Sequence, residues 1–541
     1  MADQAQPALK IVILETSDVH GFIVPYSYAD GTKLDSGLAR LAEVIRKERE
    51  LAKEEEGAEV LLIDNGDCLQ GSPLTYYQAK VDDSLPSAVL ECMNYLRYDA
   101  AVPGNHEFNF GLDYLRRARA GSKFPWLSAN IISERTGEPW FGTPYRIWEL
   151  AGGVRVALLG LTTSYIPNWE QAEHIAGIQF DDPVETARRW VPYLRQQEEA
   201  DLVIVSYHGG LERDPESGEP TEPQTGENRG YALCTEVPGI DVLLTGHQHR
   251  LLEGLEISGV SVVQPSSEGK YLGKVTVTLH KQHGVWMVVR KQSELRSCED
   301  QAADFEILGR VAPAEEALQE WLDQPIGEVR GEMQIADTAL ARREKHPFVE
   351  WLNKVQLEVS GAELSCTSLF DEQAAGFGST ITMRDIITNY KYPNTLRVLK
   401  LCGADIKAAL ERSAAYFTLD PEGNIVVNPE FLYPKPQHFN YDMWEGIEYV
   451  LDISRPLGER VTRLLRNGVP MKPEEEFNVV MNNYRAGGGG DYFMFRDKPV
   501  VRDIPADMVE VLADYVRKTG VIDPVLTPSW SVTAGSRSKV L

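Results

Sequence analysis

Up to about residue 330, short apolar runs alternate along the chain with longer amphipathic stretches. The runs are rich in Val, Ile and Leu and are continuous, which is typical of strands covered on both faces. They are Ile11–Leu14, Val60–Ile63, Val154–Leu159, Leu202–Val205 and Asp241–Leu244. The amphipathic stretches predict helices, at Leu38–Glu56, Pro86–Leu96 and Val184–Glu199. This alternation predicts an α/β layered architecture.

A different pattern begins near residue 270. Lys274–Leu279 and Val285–Arg290 alternate apolar and polar side chains, which is typical of strands with one exposed face. The turn residues His283 and Gly284 lie between them. The pattern therefore predicts an antiparallel pair.

A chain of 541 residues is long enough to form more than one domain. A connecting helix is predicted at Ala314–Leu322, and strands and helices are mixed less regularly after it. We therefore expect an α/β domain at 1–335 and a second domain at 336–541.

The composition is that of a globular protein with a large acidic excess. The chain has 81 Asp and Glu against 54 Lys and Arg, so its formal net charge is −27. A protein that binds nucleic-acid duplexes needs a basic face, and this charge argues against that class. No run of about 18 apolar residues, the length that spans a membrane, occurs. The expected partner is a small molecule, and the sequence leaves the oligomeric state open.

The start of the chain and its cysteines favour a cytoplasmic location. The first residues lack the basic segment and long apolar stretch of a signal peptide. An exported protein whose leader had been removed would begin in the same way. Six scattered cysteines form no close pair, which favours a reduced protein. They are Cys68, Cys92, Cys234, Cys298, Cys366 and Cys402.

Potential metal ligands follow the predicted strands and occupy one further loop. They are Asp18, His20, Asp67, Asn105, His208, His247 and His249. Because ligands bind at the carboxyl ends of strands in α/β sheets, we expect these side chains to converge on one crevice. Carboxylates, imidazoles and an amide oxygen suit divalent ions such as Mn, Zn or Co. A structural zinc cage is not expected, because no cysteine takes part.

The number of these side chains indicates two metal ions. One ion cannot use seven such ligands, whereas two ions sharing a bridging carboxylate can. A bridged pair suits in-line displacement at phosphorus. Nearby glycines permit sharp turns beside the ions. They are Gly21, Gly66, Gly104 and Gly246.

Taken singly, most of these motifs have an ordinary structural explanation. Asp18 and His20 fit a surface turn, Asn65–Asp67 is a common turn signal, and His208 fits a buried core histidine. The segments 104–107 and 246–249 are more specific. In the second of them, two histidines one residue apart directly after a strand are seldom needed for packing. The combination, in this order, favours a metal centre.

Together these motifs resemble the signature of calcineurin-like metallophosphoesterases. They are Asp18-x-His20, Gly66-Asp67, Gly104-Asn105-His106-Glu107, His208 and Gly246-His247-x-His249. The whole chain resembles the bacterial 5′-nucleotidase / 2′,3′-cyclic-nucleotide 2′-phosphodiesterase family. That resemblance implies a four-layer α-β-β-α sandwich, followed by an α+β domain that sets substrate specificity.

The resemblance also implies how the ligands are shared between two ions. One ion would take Asp18, His20, Asp67 and His249. The other would take Asp67, Asn105, His208 and His247. Asp67 would therefore be the bridging carboxylate.

His106 and Asn109 are the expected catalytic residues. The resemblance implies that His106 stabilises the phosphoryl transition state or protonates the leaving oxygen, while a metal-activated water attacks. The 5′-nucleotidase branch has Asp three residues after this histidine, where this chain has Asn109. Asn109, the segment Leu69–Leu74 and His249 look like the 2′,3′-cyclic-nucleotide 2′-phosphodiesterase / 3′-nucleotidase branch.

Two segments of the second domain look similar to family segments that bind the base. The resemblance implies that Phe439 and Tyr484 stack on its two faces, and Asn440 and Asp491 are weaker candidates for polar contacts. Gly487–Gly490 beside Tyr484 permits close approach of a ligand. It is not a P-loop, because no Lys-Ser/Thr follows.

The leading hypothesis is an enzyme, a two-metal phosphoesterase that opens 2′,3′-cyclic nucleotides and removes 3′-phosphates. A 5′-nucleotidase or nucleotide-sugar hydrolase is the alternative. A non-catalytic scaffold is disfavoured, because His106 and every ligand position are filled.

Overall fold

The computed structural model describes residues 8–55, 58–84, 86–370, 372–392, 394–433 and 435–535. The chain divides into two compact units, Met1–Ala317 and Leu318–Leu541. This division precedes the expected boundary at 335, because strand Pro325–Val329 pairs with Thr380–Thr382 and Val521–Ile522 of the second unit.

The first unit combines strands, α-helices and short 3₁₀ helices. Its strands are β1 (Ala8–Thr16), β2 (Ala58–Asp64), β3 (Ala100–Ala101), β4 (Ile131–Ser133), β5 (Tyr145–Glu149), β6 (Arg155–Thr162), β7 (Ile178–Phe180), β8 (Leu202–His208), β9 (Val242–Thr245), β10 (Leu251–Ile257), β11 (Val260–Pro265), β12 (Tyr271–Gln282) and β13 (Val285–Ser297). Its α-helices are α1 (Leu38–Glu54), α2 (Pro73–Lys80), α3 (Ala88–Leu96), α4 (Gly111–Gly121), α5 (Pro183–Gln196), α6 (Gly230–Glu236) and α7 (Phe305–Leu322), within which the division falls. The 3₁₀ helices are His106–Phe108, Ala151–Gly153, Ile166–Asn168 and Ala172–Ile175.

Two sheets pack face to face in the first unit. Their strand orders are β13-β12-β1-β2-β3 and β10-β11-β9-β8-β6-β5. Leu202 and Ile204 of β8 point into the core between the sheets, which also contains Ile11 of β1. Val203 and Val205 point the other way, into a core shared with α5. Helix α1 contacts β2 and β12 of the first sheet. The predicted layered α-β-β-α fold is therefore confirmed.

The predicted antiparallel pair is formed by β12 and β13. Its turn is tight, since Gln282 pairs with Val285. His283 and Gly284 have φ of 50° and 86°, the left-handed backbone of a two-residue hairpin turn.

The helices differ from the sequence expectations mainly at their ends. Helix α7 begins at Phe305, ahead of the expected Ala314, because it continues through Pro313. Helix α1 extends to Glu54, and its expected end at Glu56 lies outside the described residues. No helix in the described ranges is long and apolar enough to cross a membrane.

The second unit is α+β. Its strands are β14 (Pro325–Val329), β15 (Met333–Gln334), β16 (Leu364–Thr367), β17 (Gly376–Phe377), β18 (Thr380–Thr382), β19 (Leu396–Cys402), β20 (Phe417–Leu419), β21 (Ile425–Val427), β22 (Met443–Glu445), β23 (Glu448–Asp452), β24 (Val461–Arg466), β25 (Val469–Pro470), β26 (Glu476–Asn482), β27 (Val500–Ile504), β28 (Val521–Ile522) and β29 (Trp530–Thr533). Its α-helices are α8 (Thr338–Arg343), α9 (Pro347–Ser360), α10 (Met383–Asn389), α11 (Gly403–Ala414), α12 (Asn483–Ala486) and α13 (Met508–Thr519). A mixed sheet of order β22-β16-β26-β19-β27 lies against α9 and α11. Tyr484, Phe439, Asn440 and Asp491 belong to this unit.

Candidate metal centre and active site

The loops that follow the parallel strands of both sheets meet at one end of the sandwich. The backbone N–H of His247, after β9, donates to Asp18 Oδ2, after β1, at 3.0 Å. Asn65, after β2, donates to the carbonyl oxygen of Tyr207 in β8 at 3.2 Å. Backbone positions that are remote in sequence are thus tied together across the two sheets.

Six predicted ligands lie in two groups, with Asn105 beside the second. In each group the possible ligand atoms lie within 4.8 Å of one another. One group is Asp18, His20 and His249, and the other is Asp67, His208 and His247. The side-chain oxygen of Asn105 lies 2.9 Å from His247 Nδ1 and 3.3 Å from His208 Nε2. The structure thus brings all seven predicted side chains together.

Backbone carbonyls fix the ring orientation of two of these histidines. His20 Nδ1 lies 2.8 Å from the carbonyl oxygen of Gln70, and His208 Nδ1 lies 2.6 Å from that of Asn65. A carbonyl oxygen can only accept, so Nδ1 carries the proton and Nε2 of the neutral ring presents a lone pair. Nε2 of His20 faces Nε2 of His249 at 3.1 Å.

Acceptor atoms also face one another in the second group. His247 Nε2 lies 3.0 Å from a Glu227 carboxylate oxygen, so in the neutral ring Nδ1 faces the Asn105 oxygen as an acceptor. Asp67 Oδ2 is buried and accepts no hydrogen bond from the described residues, although His208 Nε2 lies 3.1 Å away. Opposed acceptors of this kind fit a divalent cation, because a cation satisfies both.

The electrostatics favour the ligand forms of Asp67 and His20. Burial opposes ionisation of Asp67, but the charges of His208 and His106 outweigh it and hold the pKa of Asp67 well below its ordinary value. Burial of His20 lowers its pKa and favours the neutral imidazole. Metal binding needs an ionised carboxylate and a neutral ring, and the shifts of Asp67 and His20 favour these forms. His208 shifts the other way: burial lowers its pKa, but the charges of Asp67 and Asp18 outweigh burial and raise it to about 10. A metal ion that binds His208 must therefore displace a proton from this ring.

The backbone at most of the ligand positions is left-handed. These positions are Asp18 (φ 52°), His20 (φ 52°), Asp67 (φ 57°), His247 (φ 67°) and His249 (φ 55°). Non-glycine residues seldom adopt this conformation, which costs about 1–3 kcal/mol each and is concentrated at functional sites. The surrounding loops must hold it.

Glu107 ties two of these loops together. Its buried carboxylate accepts backbone hydrogen bonds from Asp67, Cys68 and Gly104 at 2.6–2.8 Å, and from Leu69 at 3.0 Å. Sequence reasoning gave Glu107 no role of its own. Its place in the 104–107 motif was the available signal.

His106 lies at the open side of the two ligand groups. Its backbone N–H donates to Asp67 Oδ1 at 2.8 Å, and its Nε2 lies 4.0 Å from Asp67 Oδ2. Its Nδ1 lies 2.6 Å from the Asn109 side-chain oxygen. The side chain is 23% exposed, so an incoming substrate can reach it.

The loop that contains Trp169 and Glu170 is a part of the site that sequence reasoning missed. The Trp169 ring stacks on the ring of His247, with centroids 5.3 Å apart and planes 29° from parallel. Glu170 accepts a hydrogen bond from the Asn109 side-chain nitrogen at 2.6 Å. The segment carries no motif and lies far along the chain from both partners, so no sequence signal pointed to it.

The four predicted substrate-binding residues lie in the second unit. The rings of Phe439 and Tyr484 pack edge to face, with centroids 6.2 Å apart and planes at 78°. Stacking both rings on one flat base requires one ring to rotate. Asn440 is 2% exposed, and Asp491 pairs with Arg412 at 3.1 Å. The roles of these residues stay predictions.

Two family models match the chain. The model described as calcineurin-like phosphoesterase matches residues 11–251, and that of the 5′-nucleotidase C-terminal domain matches residues 325–497. These matches define a metallophosphoesterase domain followed by a nucleotidase-type domain.

Three similar proteins span nearly the whole chain. The 2′,3′-cyclic-nucleotide 2′-phosphodiesterase/3′-nucleotidase of Salmonella typhimurium is 30% identical over 96% of this chain and 88% of that protein. The trifunctional nucleotide phosphoesterase YfkN of Bacillus subtilis is 29% identical over 98% of this chain, which spans 39% of that longer protein. A crystal structure described as a 5′-nucleotidase from Staphylococcus aureus is 35% identical, with a TM-score of 0.87, and the match covers 97% of this chain and 100% of that one.

The chain is therefore a metal-dependent phosphoric ester hydrolase by its domains and by its similarity to these proteins. It belongs to the family of bacterial 5′-nucleotidases and 2′,3′-cyclic-nucleotide 2′-phosphodiesterases.

The backbone hydrogen bonds by which Glu107 connects two ligand loops lead to a prediction about metal affinity. In Glu107→Gln, one of the two acceptor oxygens becomes a donor that faces backbone N–H groups. We expect metal affinity to fall about 10- to 100-fold, the usual cost of removing a group that orients ligands. Equilibrium dialysis with Mn²⁺ measures this affinity.

Asp113→Asn is the matched control, because the Asp113 side chain is 87% exposed on the nearby helix α4. It should bind Mn²⁺ as the unchanged protein does. Equal affinities for Glu107→Gln and the control would contradict the proposal that Glu107 holds the ligand loops in place.

Proposed function

We propose that the chain hydrolyses nucleotides with two bound divalent ions, opening 2′,3′-cyclic phosphates and removing 3′-phosphates. The observation that carries this proposal is the pair of ligand groups with Asp67 between His208 and His106. The opposed acceptors fit divalent cations, and the reachable histidine beside them can act as a proton donor. Hydrolysis of a phosphate ester uses both, because its oxygens bind the cations and take up a proton.

The two groups suggest which residues would hold each ion. His20, Asp18 and His249 would hold one, while Asn105, His208 and His247 would hold the other, with Asp67 shared. The mixture of nitrogen and oxygen donors fits Mn, Zn or Co. When bound, such ions neutralise the phosphate charge and make an attacking water more acidic.

In this proposal His106 is the protein side chain that donates a proton during the reaction. Its Nδ1–H is held by the Asn109 oxygen at 2.6 Å, so Nε2 is the atom free to meet a substrate oxygen. A protonated Nε2 would donate to the phosphoryl group or to the departing sugar oxygen, which leaves as a hydroxyl. Asn109 would hold the ring in that orientation.

The nucleoside would be bound by the second unit. Phe439 and Tyr484 are both half-buried and would offer aromatic faces to the base after a ring rotation. Gly489 lies against the face of the Tyr484 ring, where a Cβ atom would be 2.6 Å from ring carbons. The glycine run would thus fix the position of this ring.

Two observations bear on which phosphate is removed. Asn109, and relatives at 30% identity named for cyclic-nucleotide and 3′-nucleotide hydrolysis, favour the leading proposal. The 35% identical structure described as a 5′-nucleotidase favours the second candidate, hydrolysis of 5′-nucleotides.

A substrate panel separates these candidates. With Mn²⁺ present, we expect adenosine 2′,3′-cyclic phosphate and 3′-AMP to be hydrolysed with a higher kcat/KM than 5′-AMP. Release of phosphate and nucleoside is followed by chromatography. Hydrolysis of 5′-AMP without cyclic-phosphate opening would replace the leading proposal with the second candidate.

Removal of the His106 ring tests its chemical role. His106→Ala should retain its metal ions and lose about 10²–10⁴-fold in kcat, the range for general acid–base groups. His283→Ala is the control, since His283 is exposed in the hairpin turn. Steady-state kinetics and metal analysis measure the two quantities. Unchanged turnover in His106→Ala would exclude it from the reaction.

We also propose that the protein works in a reducing compartment. All six cysteines are free, and five of them are buried. Buried free thiols fit the role of small apolar core groups. Cell fractionation of the native strain checks this location.

A further inference from the structure

We propose that Glu170 is a positioning residue for His106, acting through the Asn109 amide. This inference deepens the proposed function and rests on it. The contacts form a chain: His106 Nδ1 lies 2.6 Å from the Asn109 oxygen, and the Asn109 nitrogen lies 2.6 Å from a Glu170 oxygen. The negative charge that an Asp at position 109 would carry is thus found on Glu170, on the other side of the Asn109 amide from His106.

Glu170 sets the direction of the two hydrogen bonds in this series. An ionised carboxylate can only accept, so the Asn109 NH₂ group must face Glu170. The amide oxygen must then face His106, where it accepts the Nδ1–H. The ring consequently presents Nε2 toward the Asp67 side of the site, 4.0 Å from Asp67 Oδ2. Without Glu170, Asn109 could turn its NH₂ group toward the ring.

Glu170 is itself held firmly. Its side chain is 6% exposed, and its other oxygen accepts the backbone N–H of Gln171 at 2.8 Å. His174 Nδ1 lies 2.9 Å from that same oxygen. A carboxylate with these partners can orient the amide and place a negative charge behind the His106 ring.

The loop that carries Glu170 also contacts a predicted metal ligand. Trp169, the preceding residue, stacks on the His247 ring. One segment therefore contacts both a ligand side chain and the His106–Asn109 pair. The hydrogen-bond partners of the Glu170 carboxylate are Asn109, Gln171 and His174, none of them a predicted ligand, so its effect on the reaction would be indirect.

The test moves the carboxylate between the two positions. Glu170→Ala frees the amide, and we expect kcat to fall about 10- to 100-fold with little change in KM. Glu170→Gln keeps an acceptor for the amide but removes the charge, so its loss should be smaller. Asn109→Asp alone sets two carboxylates against each other and should lower both activity and stability.

The double variant Asn109→Asp/Glu170→Gln distinguishes a positioning role of Glu170 from a merely structural one. Here a carboxylate contacts His106 directly, and the amide introduced at position 170 donates to that carboxylate. We expect kcat to recover to within about threefold of the unchanged protein, above either single variant. A residue that only supports folding would give added losses instead. Glu173→Gln is the matched control, because Glu173 is exposed on the short helix Ala172–Ile175 that follows Glu170 and should leave kcat unchanged.

Thermal unfolding of the metal-free proteins gives a readout that does not depend on activity. Asn109→Asp should lower the unfolding midpoint by about 2 °C or more, and adding Glu170→Gln should restore it. Additive shifts would overturn the contact that the proposal requires. A kcat for Glu170→Ala within about twofold of the unchanged protein, or no recovery in the double variant, would overturn its role.

The two proposals fail in different ways. The kinetic series uses whichever phosphate ester the unchanged protein hydrolyses best, so a wrong nucleotide assignment leaves the comparison between variants intact. If the unchanged protein hydrolyses no ester, the proposed function fails and the positioning role fails with it, while the unfolding series still tests the contact.

Discussion

The first unit is organised around hydrogen-bond acceptors that face one another at the ends of two sheets. Backbone carbonyls hold the Nδ1–H groups of His20 and His208, which leaves their Nε2 lone pairs directed at buried carboxylates and at other rings. Acceptor atoms that face one another in this way do not stabilise the fold by themselves. They become favourable when cations lie between them, and the family to which the chain belongs uses divalent metals for that purpose.

Holding these acceptors together has a structural cost that the fold offsets nearby. Left-handed backbone at Asp18, Asp67 and His249 places side chains where regular strands would not. Glu107 compensates by accepting four backbone N–H groups, and the close approach at Gly104 leaves no room for a Cβ atom beside His208. The two packed sheets provide the rigid support that such loops need.

The sequence was informative where local pattern determines structure. Apolar runs predicted the strands, and polar residues directly after them identified the side chains that meet, because strand ends lie together in an α/β sheet. The roles of Glu170 and Trp169 depend on packing between distant segments, which one sequence does not reveal. The predicted start of helix α7 lay directly after Pro313, whereas the helix passes through this proline. Ring orientation at Phe439 and Tyr484 depends on side-chain rotamers rather than on pattern.

Counting bound metal ions tests the central claim most directly. Equilibrium dialysis against Mn²⁺, with elemental analysis, should give two ions per chain in the unchanged protein. Asp67→Ala should bind fewer than two, since the carboxylate lies beside both His208 and His106 and is proposed to be shared. A protein that binds no metal after dialysis, or an Asp67→Ala variant that still binds two ions with unchanged affinity, would contradict the paired centre.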